Sequence, residues 1–405
     1  MGDIIAGIDV VEPLPGEAVP PIEGNYGLNL PSGDGQTFAW VCHEVLTEEG
    51  AVRAPRYVRN GDGIWLAALS DVTQGRGGNT LFRSPDGGCS WNVVGGIEAG
   101  VQIRDAQFDG ADAARAIAVS DTPDTGNGVW LSDDAGASWS VSVPAAADRL
   151  FHSAGFLDGR GWATATNAAG SEAYWWSQDA EGTWSESIVD VGGAFADARF
   201  AGLATEGEQV WAVIDPLGDD TLLHSDDRGA SWSVVLSGSG TVNDAARVGG
   251  AELWVVLNAG LELVRIADAD GAVTPLRDHW LSFGIAATDE AVWYAPLSVT
   301  QGAMLARSGL DGAGQEVRAF PDDVVGPLDC PAGTEQAEVC APLWPTLAPM
   351  LRGFDVPPGE TGDSGYVLID DPFADGTDER GCGCGGGSAA AAMLAPLLLL
   401  GLRRW

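Results

Sequence analysis

Short apolar runs alternate with polar, glycine-rich segments along the middle of this chain. Four successive units contain the runs GIWLAAL (63–69), RAIAV (115–119), GWATA (161–165) and QVWAV (209–213). A second apolar run follows each of these, and a third begins at a tryptophan farther on. Runs of this length between turn residues are typical of β-strands. Together with one earlier strand, such as AQF (106–108), each unit predicts a four-stranded antiparallel meander.

A short turn signature separates the last two predicted strands of each of these units. Its copies read SPDGGCSW, SDDAGASW, SQDAEGTW and SDDRGASW, and they recur every 45 to 48 residues. This period indicates that one structural unit is repeated. An Asp side chain can accept backbone N–H groups, Gly tolerates a positive φ, and Trp gives the next strand a large apolar surface. We call these four segments the signature turns.

The residues expected to shape the signature turns are Ser84, Asp86, Gly88, Trp91, Ser132, Asp134, Gly136, Trp139, Ser177, Asp179, Trp184, Ser225, Asp227, Gly229 and Trp232. The third copy departs from the pattern, because Glu181 stands where the others have glycine and Gly182 comes one place later. We therefore expect that turn to have a different shape. The pattern S-x-D-x-G-x-S-W resembles the Asp-box, or BNR, repeat of sialidase-like β-propellers. In that family these turns lie at the outer rim and are structural, which implies that their carboxylates are not catalytic.

Two further units keep the strand pattern without the signature, and they contain ELWVVL (252–257) and AVWYAPL (291–297). The preferred prediction is thus an all-β propeller of six blades, each a four-stranded antiparallel sheet, over residues 51–320. The segment TFAWVCHE (37–44) adds a strand that closes the ring on the last blade or belongs to a seventh blade completed after Phe320. Seven blades are the second choice, because the proline-rich segment AEVCAPLWPTLAP is a poor strand former. The 16 Trp and 57 Gly residues suit an all-β chain with many turns.

The chain is strongly acidic, with a formal net charge of -38 and arginine as its one strongly basic residue type. Such a surface repels nucleic acid and anionic lipid headgroups, so no nucleic-acid partner is expected.

Composition divides the chain into four parts. Residues 1–36 form an N-terminal extension, 37–352 the propeller with a cysteine-containing C-terminal cap, 353–381 an acidic flexible linker, and 382–405 a tail. The tail joins Cys382 and Cys384 to an apolar run (388–402) and to the basic pair Arg403 and Arg404. This order resembles the MYXO-CTERM sorting signal of myxobacterial secreted proteins.

The resemblance implies an exported protein that the apolar segment anchors transiently in the membrane. A sorting protease would act at or near Cys382 or Cys384, and Arg403 and Arg404 would act as stop signals. The product would remain at the cell surface or outer membrane. The N-terminal residues MGDIIAGIDVVEPLPGE lack the basic and apolar regions of a signal peptide, so we expect one to lie upstream of Met1.

Export favours disulfides among Cys42, Cys89, Cys330 and Cys340, although free thiols are the alternative. We favour pairing Cys330 with Cys340, because CPAGTEQAEVC is a compact loop beside a proline-rich segment. No C-x-x-C pair occurs outside the tail and the four histidines are scattered, so neither a metal site nor a cofactor is expected. The alternating carboxylates Asp268 and Asp270 are a weak calcium candidate, and they lie where a further turn is expected.

A sialidase-type site needs an arginine cluster, a tyrosine nucleophile with a Glu partner and an Asp acid/base. The candidates near strands are Arg53, Arg56, Arg59, Arg104, Arg149, Arg199, Tyr57, Tyr174 and Tyr294. None lies in a recognisable motif of that family. We therefore favour a noncatalytic surface protein that binds another protein or a glycan, and the alternative is a glycoside hydrolase of the sialidase-like type.

Overall fold

The computed structural model describes residues 9–352 apart from 15, 25, 48–54, 70–74, 123–126, 145–147, 192–198, 216–219, 239, 258–261, 269–270, 277–281 and 297–302. The described residues form seven sheets, and these are the blades of an all-β propeller. We number the blades in chain order. Each inner strand from blade 2 to blade 6 contacts the inner strand of the next blade, and that of blade 7 contacts blade 1.

Blade 1 contains β1 (Asp9–Val10), β2 (Ile22–Gly24), β3 (Gly27–Pro31) and β4 (Phe38–Cys42). Blade 2 contains β5 (Arg56–Arg59), β6 (Trp65–Ala68), β7 (Leu81–Ser84) and β8 (Asn92–Val93). Blade 3 contains β9 (Ile103–Asp109), β10 (Asp112–Ser120), β11 (Gly128–Ser132) and β12 (Ser140–Pro144). Blade 4 contains β13 (Arg149–Leu157), β14 (Arg160–Asn167), β15 (Ala173–Gln178) and β16 (Trp184–Ile188).

Blade 5 contains β17 (Arg199–Glu206), β18 (Gln209–Asp215), β19 (Thr221–Ser225) and β20 (Ser233–Ser237). Blade 6 contains β21 (Val242–Val248), β22 (Glu252–Leu257), β23 (Glu262–Ala267) and β24 (Val273–Leu276). Blade 7 contains β25 (Ser282–Ala287), β26 (Val292–Pro296), β27 (Leu305–Ser308) and β28 (Glu316–Ala319). The chain then returns to blade 1, where β29 (Val324–Pro327) becomes a fifth, outermost strand.

The preferred prediction of six blades is wrong, and the second choice of seven is correct. The strand expected in residues 37–44 is β4, and it belongs to blade 1. Residues 9–31, which the sequence analysis places in an N-terminal extension, supply β1 to β3 of the same blade. Residues after Phe320 contribute one strand to this blade, because β29 pairs with β4, so the second choice is correct in joining this segment to the strand of residues 37–44. This pairing is parallel, with Val324 opposite Phe38 and Pro327 opposite Trp40.

The proline-rich segment after β29 forms a helical cap on blade 1. It contains a π-helical turn (Gln336–Cys340) followed by α1 (Ala341–Arg352), so its prolines do not interrupt a strand. The side-chain amide of Gln336 donates to the Trp40 carbonyl at 2.6 Å, and the rings of Trp40 and Trp344 lie 5.8 Å apart. The C-terminal end of the described residues is thus packed against blade 1, which contains their N-terminal end.

Two disulfides fix this cap, and they join Cys42 to Cys340 and Cys89 to Cys330, each with a Cα–Cα distance of 5.5 Å. The predicted pairing of Cys330 with Cys340 is wrong. The cap lies along the edge of blade 1, so Cys340 faces β4 while Cys330 reaches the first signature turn in blade 2. The second disulfide therefore crosses the junction between blades 1 and 2.

Apolar side chains fill the space between the first and last blades. One buried cluster contains Val10 and Trp40 from blade 1, Trp65 from blade 2, Trp293 from blade 7 and Leu347 from the cap. Burial of this continuous surface is the main stabilising contribution at the junction.

The linker and tail (353–405) lie outside the described residues, and with them Cys382, Cys384, Arg403 and Arg404. In the part of the chain that the structure covers, helices are too short or too polar to cross a bilayer.

We predict that replacing Cys89 and Cys330 together by alanine lowers the free energy of unfolding by about 2–5 kcal/mol, because a long loop of the unfolded chain is released. Chemical denaturation of the full-length protein under oxidising conditions measures this loss. The Cys42→Ala/Cys340→Ala variant is the comparison, because its cysteines are 298 residues apart in sequence, against 241 for Cys89 and Cys330, and its loss should cost as much. An unchanged denaturation midpoint for the Cys89/Cys330 variant would contradict the role of its disulfide in closing the ring.

Candidate functional site

The inner strands of the seven blades surround a central channel. In every blade the innermost strand is the one that comes first in sequence, and in blade 1 this strand is β1. Because the strands within these blades are antiparallel, the inner strands begin at the end of the molecule opposite the signature turns. We call these two ends the channel entrance and the signature face. Asp9, Arg56, Asp105 and Asp244 lie near the starts of β1, β5, β9 and β21, at the channel entrance.

Arg56 is the centre of a mixed-charge cluster at this entrance. Its Nη1 lies 3.1 Å from Oδ1 of Asp105, and the side chains are 48% and 4% exposed, respectively. The carboxylate of Asp105, and then those of Asp9 and Asp244, raise the pKa of Arg56. One guanidinium thus interacts with carboxyl groups from blades 1, 3 and 6.

Asp244 and Asp9 lie side by side at the junction of blades 6, 7 and 1. Oδ2 of Asp244 accepts the Ile285 N–H at 2.8 Å, and a Cβ at the preceding Gly284 would clash with Oδ1 of Asp9. Burial raises the pKa of Asp244 to about 8, and the charge of Asp9 adds to this effect. Burial also raises the pKa of Asp105, although Arg56 opposes this, so both buried carboxyl groups hold a proton more strongly than exposed ones do.

Side chains on three inner strands accept backbone hydrogen bonds from the next blade. The bonds run from Ala154 N–H to Asp105 Oδ2 (3.1 Å), from Gly202 N–H to Ser153 Oγ (2.6 Å) and from Ile285 N–H to Asp244 Oδ2 (2.8 Å). These bonds link blade 3 to 4, blade 4 to 5 and blade 6 to 7. The channel carboxylates therefore align neighbouring blades, and part of their hydrogen-bonding capacity is occupied.

A second charged group lies beside the first at the entrance. Arg104 and Asp121 form an ion pair, and burial raises the pKa of Asp121 although Arg104 opposes this. Nε2 of His152 lies 2.8 Å from the Thr166 hydroxyl. Burial, followed by the charges of Arg199 and Arg104, lowers the pKa of His152 to about 3, so this imidazole is neutral near pH 7. Arg199 has no ion-pair partner among the described residues.

The arginines considered for a sialidase-type site do not form one unpaired cluster. Arg56, Arg104 and Arg199 reach the channel entrance, but the first two are paired with Asp105 and Asp121. Two others on inner strands are also paired, Arg59 with Glu17 and Arg149 with Glu186 at 2.9 Å. Arg53 lies outside the described residues.

The tyrosines considered as nucleophiles are held in structural contacts. Tyr57 and Tyr294 are buried, and burial raises the pKa of both hydroxyls. The Tyr294 hydroxyl bonds to that of Ser308 at 2.7 Å. Burial and a hydrogen bond to Glu172 raise the pKa of Tyr174 to about 12. A nucleophile requires a lowered pKa or an adjacent base that accepts its proton. None of the three hydroxyls has a lowered pKa, and Tyr174 is the one that donates to a carboxylate, that of Glu172.

Three of the signature turns share one hydrogen-bond pattern. The Ser hydroxyl donates to the Asp carboxylate and accepts the Gly N–H, and the same carboxylate accepts the N–H of the residue before Trp. The indole N–H then donates to the Gly carbonyl at 3.0–3.1 Å. Asp86, Asp134 and Asp227 thus each hold a turn at the signature face.

The third turn has a different shape, as the sequence indicates. In the second copy φ is positive at Ala135 (55°) and Gly136 (81°), whereas residues 177–184 have a positive φ at Gly182 alone (85°). A side chain disfavours positive φ, so Glu181 shifts this conformation to the following glycine. The indole N–H of Trp184 consequently donates to the Ser142 hydroxyl of blade 3, at 2.8 Å.

Among the described residues no group of three or more His, Cys, Asp and Glu side chains could hold a metal ion. Asp268 of the calcium candidate binds Arg247, with 2.6 Å between Oδ2 and Nη2. Asp270 lies outside the described residues.

Sequence reasoning did not single out Asp9, Asp105 or Asp244. The signal that could have identified two of them is the repeat itself, because Asp105, Ser153 and Asp244 occupy equivalent positions on successive inner strands. The hydrophobicity pattern identifies the strands. The equivalence of Asp105, Ser153 and Asp244 becomes visible only when the sequences of the repeated blades are aligned on their first strands.

No protein-family model and no curated protein matches the sequence. A puromycin-hydrolysing peptidase of Mycobacterium tuberculosis is 14% identical over 81% of this chain and 55% of its own, with a TM-score of 0.53. YCF48 bound to D1 peptide is 17% identical over 55% of this chain and 68% of its own, with a TM-score of 0.39. The GH74 xyloglucanase from Xanthomonas campestris is 15% identical over 76% of this chain and 58% of its own, with a TM-score of 0.42. This chain therefore spans little more than half of the peptidase and the xyloglucanase, and the likeness to the peptidase shows the fold alone.

We predict that Asp244→Asn changes how stability depends on pH. An unfolded aspartate loses its proton near pH 4, whereas folded Asp244 keeps it to about pH 8. Between these values the unfolded state binds fewer protons, so the free energy of unfolding of the wild type should fall relative to the variant, by at most about 1.4 kcal/mol per pH unit. Urea denaturation of both proteins across this range measures the difference, and parallel pH profiles would contradict it.

Proposed function

We propose that this protein is an exported surface propeller that binds a protein or a glycan without catalysing its conversion. The observation that carries this proposal is the use of the channel carboxylates as structural acceptors. Asp105 binds Arg56 and a backbone N–H of blade 4, and Asp244 binds a backbone N–H of blade 7. The guanidinium of Arg199, which has no ion pair with the side chains that the structure describes, is exposed at the same entrance, where a ligand can contact it.

The proposal includes membership of the Asp-box propellers. The hydrogen bonds shared by the first, second and fourth signature turns support it, because Ser, Asp, Gly and Trp each have a defined partner there. These turns lie at the end opposite the channel entrance, which supports a structural role for their carboxylates.

Export is supported by the two disulfides, because such bonds persist in oxidising compartments. It is also supported by the resemblance of the tail to a MYXO-CTERM signal. In this proposal the apolar segment enters the membrane and a sorting protease cuts at or near Cys382 or Cys384. The propeller then remains at the cell surface or outer membrane.

One observation favours a glycoside hydrolase as the second candidate. Glycosidases use a carboxylic acid that is protonated at the working pH beside a second carboxylate. The raised pKa of Asp244 and the neighbouring Asp9 resemble such a pair. The structural bond from Ile285 to Asp244 makes this the less favoured function.

We predict that the full-length protein binds a component of a glycan array or of a set of surface proteins and does not hydrolyse fluorogenic sialosides or β-glucans. Arg199→Ala should weaken binding about tenfold or more, because a charged hydrogen bond is lost. Arg318→Ala is the matched control, since it removes the same charge from β28 in blade 7. Glycoside turnover that disappears in Asp244→Asn would establish the hydrolase instead.

We predict that the mature protein lacks its hydrophobic tail. Mass spectrometry of protein released from the cell surface should find a C-terminus at or near Cys382 or Cys384. The Cys382→Ala/Cys384→Ala variant should accumulate with Trp405 present, because the processing site is gone. An intact C-terminus on wild-type protein inside the cell would contradict both export and processing.

A further inference from the structure

Two adjoining clefts lie on the signature face at the third signature turn. Their volumes are about 190 Å³ and 490 Å³, and both are lined by Arg160, Gln178 and Asp179. The smaller cleft reaches Trp162 and Trp175 in blade 4 and is bordered by Arg228, which belongs to the fourth turn. The larger cleft extends along the third turn to Arg115 of blade 3 and to Glu181 and Gly182.

The irregular third turn forms part of the lining of both clefts. Its Trp184 is directed toward Ser142 of the preceding blade and does not bind a carbonyl of its own turn. Gln178 replaces the usual Ser bridge, with its amide nitrogen donating to the Gly182 carbonyl at 3.0 Å and its amide oxygen accepting the Gly161 N–H at 3.3 Å. These contacts hold the Gln178 side chain where the two clefts meet.

The charges that line the clefts are balanced in sign. Three arginines face three carboxylates, and these residues are Arg115, Arg160, Arg228, Asp158, Asp179 and Glu181. Arg115 binds Asp109 at 3.0 Å, and Arg228 binds Asp158. Arg160 and Glu181 have no side-chain hydrogen bond or ion pair with the described residues, so a guanidinium and a carboxylate are both available to a ligand.

Two stacked indoles form the base of the smaller cleft. Trp162 and Trp175 are 7% and 1% exposed, and their rings stack with centroids 5.2 Å apart. The indole nitrogen of Trp175 packs against Gly229, and that of Trp162 lies near Gly155. The base of the cleft is therefore an apolar surface, and the polar contacts available to a ligand lie around its rim.

We infer that these clefts bind a neutral, hydroxyl-rich ligand, namely an oligosaccharide. Arg160 and Glu181 are opposite in sign and lie beside the same clefts, so neither a cation nor an anion meets charges of one sign there. A sugar hydroxyl can donate to a carboxylate and accept from a guanidinium, so it satisfies both groups, and the apolar face of a sugar ring can lie against the indoles. The site lies at the end opposite the channel entrance, so it is independent of the binding site in the proposed function.

The test titrates the full-length protein with neutral cello-, xylo- and manno-oligosaccharides and with anionic polysialic acid and hyaluronan. Isothermal titration calorimetry should detect a neutral oligosaccharide, and Arg160→Ala should weaken its binding about tenfold or more. Arg318→Ala on blade 7 is the control that should leave this binding unchanged, and Arg199→Ala reports whether a glycan binds at the channel entrance instead.

A second variant restores the regular turn and leaves Arg160 unchanged. The Glu181→Gly/Gly182→Ala double change gives the third copy the D-A-G-A sequence of the second copy. It should keep the melting temperature of the wild type and lose oligosaccharide binding. Absence of binding to every neutral oligosaccharide would overturn the inference, as would binding that neither the Arg160 nor the double variant alters. Binding lost only in Arg199→Ala would place a glycan at the channel entrance, which overturns this inference and supports the proposed function.

Discussion

The closure of the ring between its first and last blades is the constraint on which the rest of this structure depends. Each blade has two apolar faces, and all of them are covered only if blade 7 packs on blade 1. Among the described residues, no blade contains an antiparallel pair formed by one strand from each end of the chain. Instead, β29 adds to the outside of β4 in parallel, and the cap that follows is joined by disulfides to Cys42 and to Cys89 of blade 2. The C-terminal end of the propeller therefore covers the outer edge of blade 1 and links blade 1 to blade 2.

Inside the ring, polar side chains perform a similar alignment. Asp105, Ser153 and Asp244 each accept a backbone N–H from the next inner strand, which fixes the relative height of adjacent blades. Burial of these carboxyl groups is unfavourable unless hydrogen bonds or opposite charges compensate, and Arg56 supplies the charge. An electrostatic cluster in a propeller channel can thus arise from assembly requirements. The raised pKa of Asp244 therefore does not by itself indicate a catalytic acid.

The sequence predicted the repeated part of the fold much better than its closure. Blades 2 to 7 have strands long enough for apolar runs to be recognised, and four of them carry a signature turn. Blade 1 has inner strands of two and three residues and no signature, so no periodic pattern marks it. The partners of Cys330 and Cys340 depend on where the cap folds back, which no local pattern contains. The entrance cluster joins Asp9 to Asp244, and only the completed ring brings such distant positions together.

The signature turns show how a repeat can acquire a site without loss of its fold. In regular copies the side chains of the signature Ser, Asp and Trp are bonded within the turn. In the third copy Glu181 excludes the usual positive φ, Trp184 finds a partner in blade 3, and Gln178 maintains the closure. The β15–β16 pairing is nevertheless retained from Tyr174 to Gln178. The strands therefore tolerate the irregular turn, and Arg160 and Glu181, whose side chains bond to none of the described residues, lie beside it as potential ligand contacts.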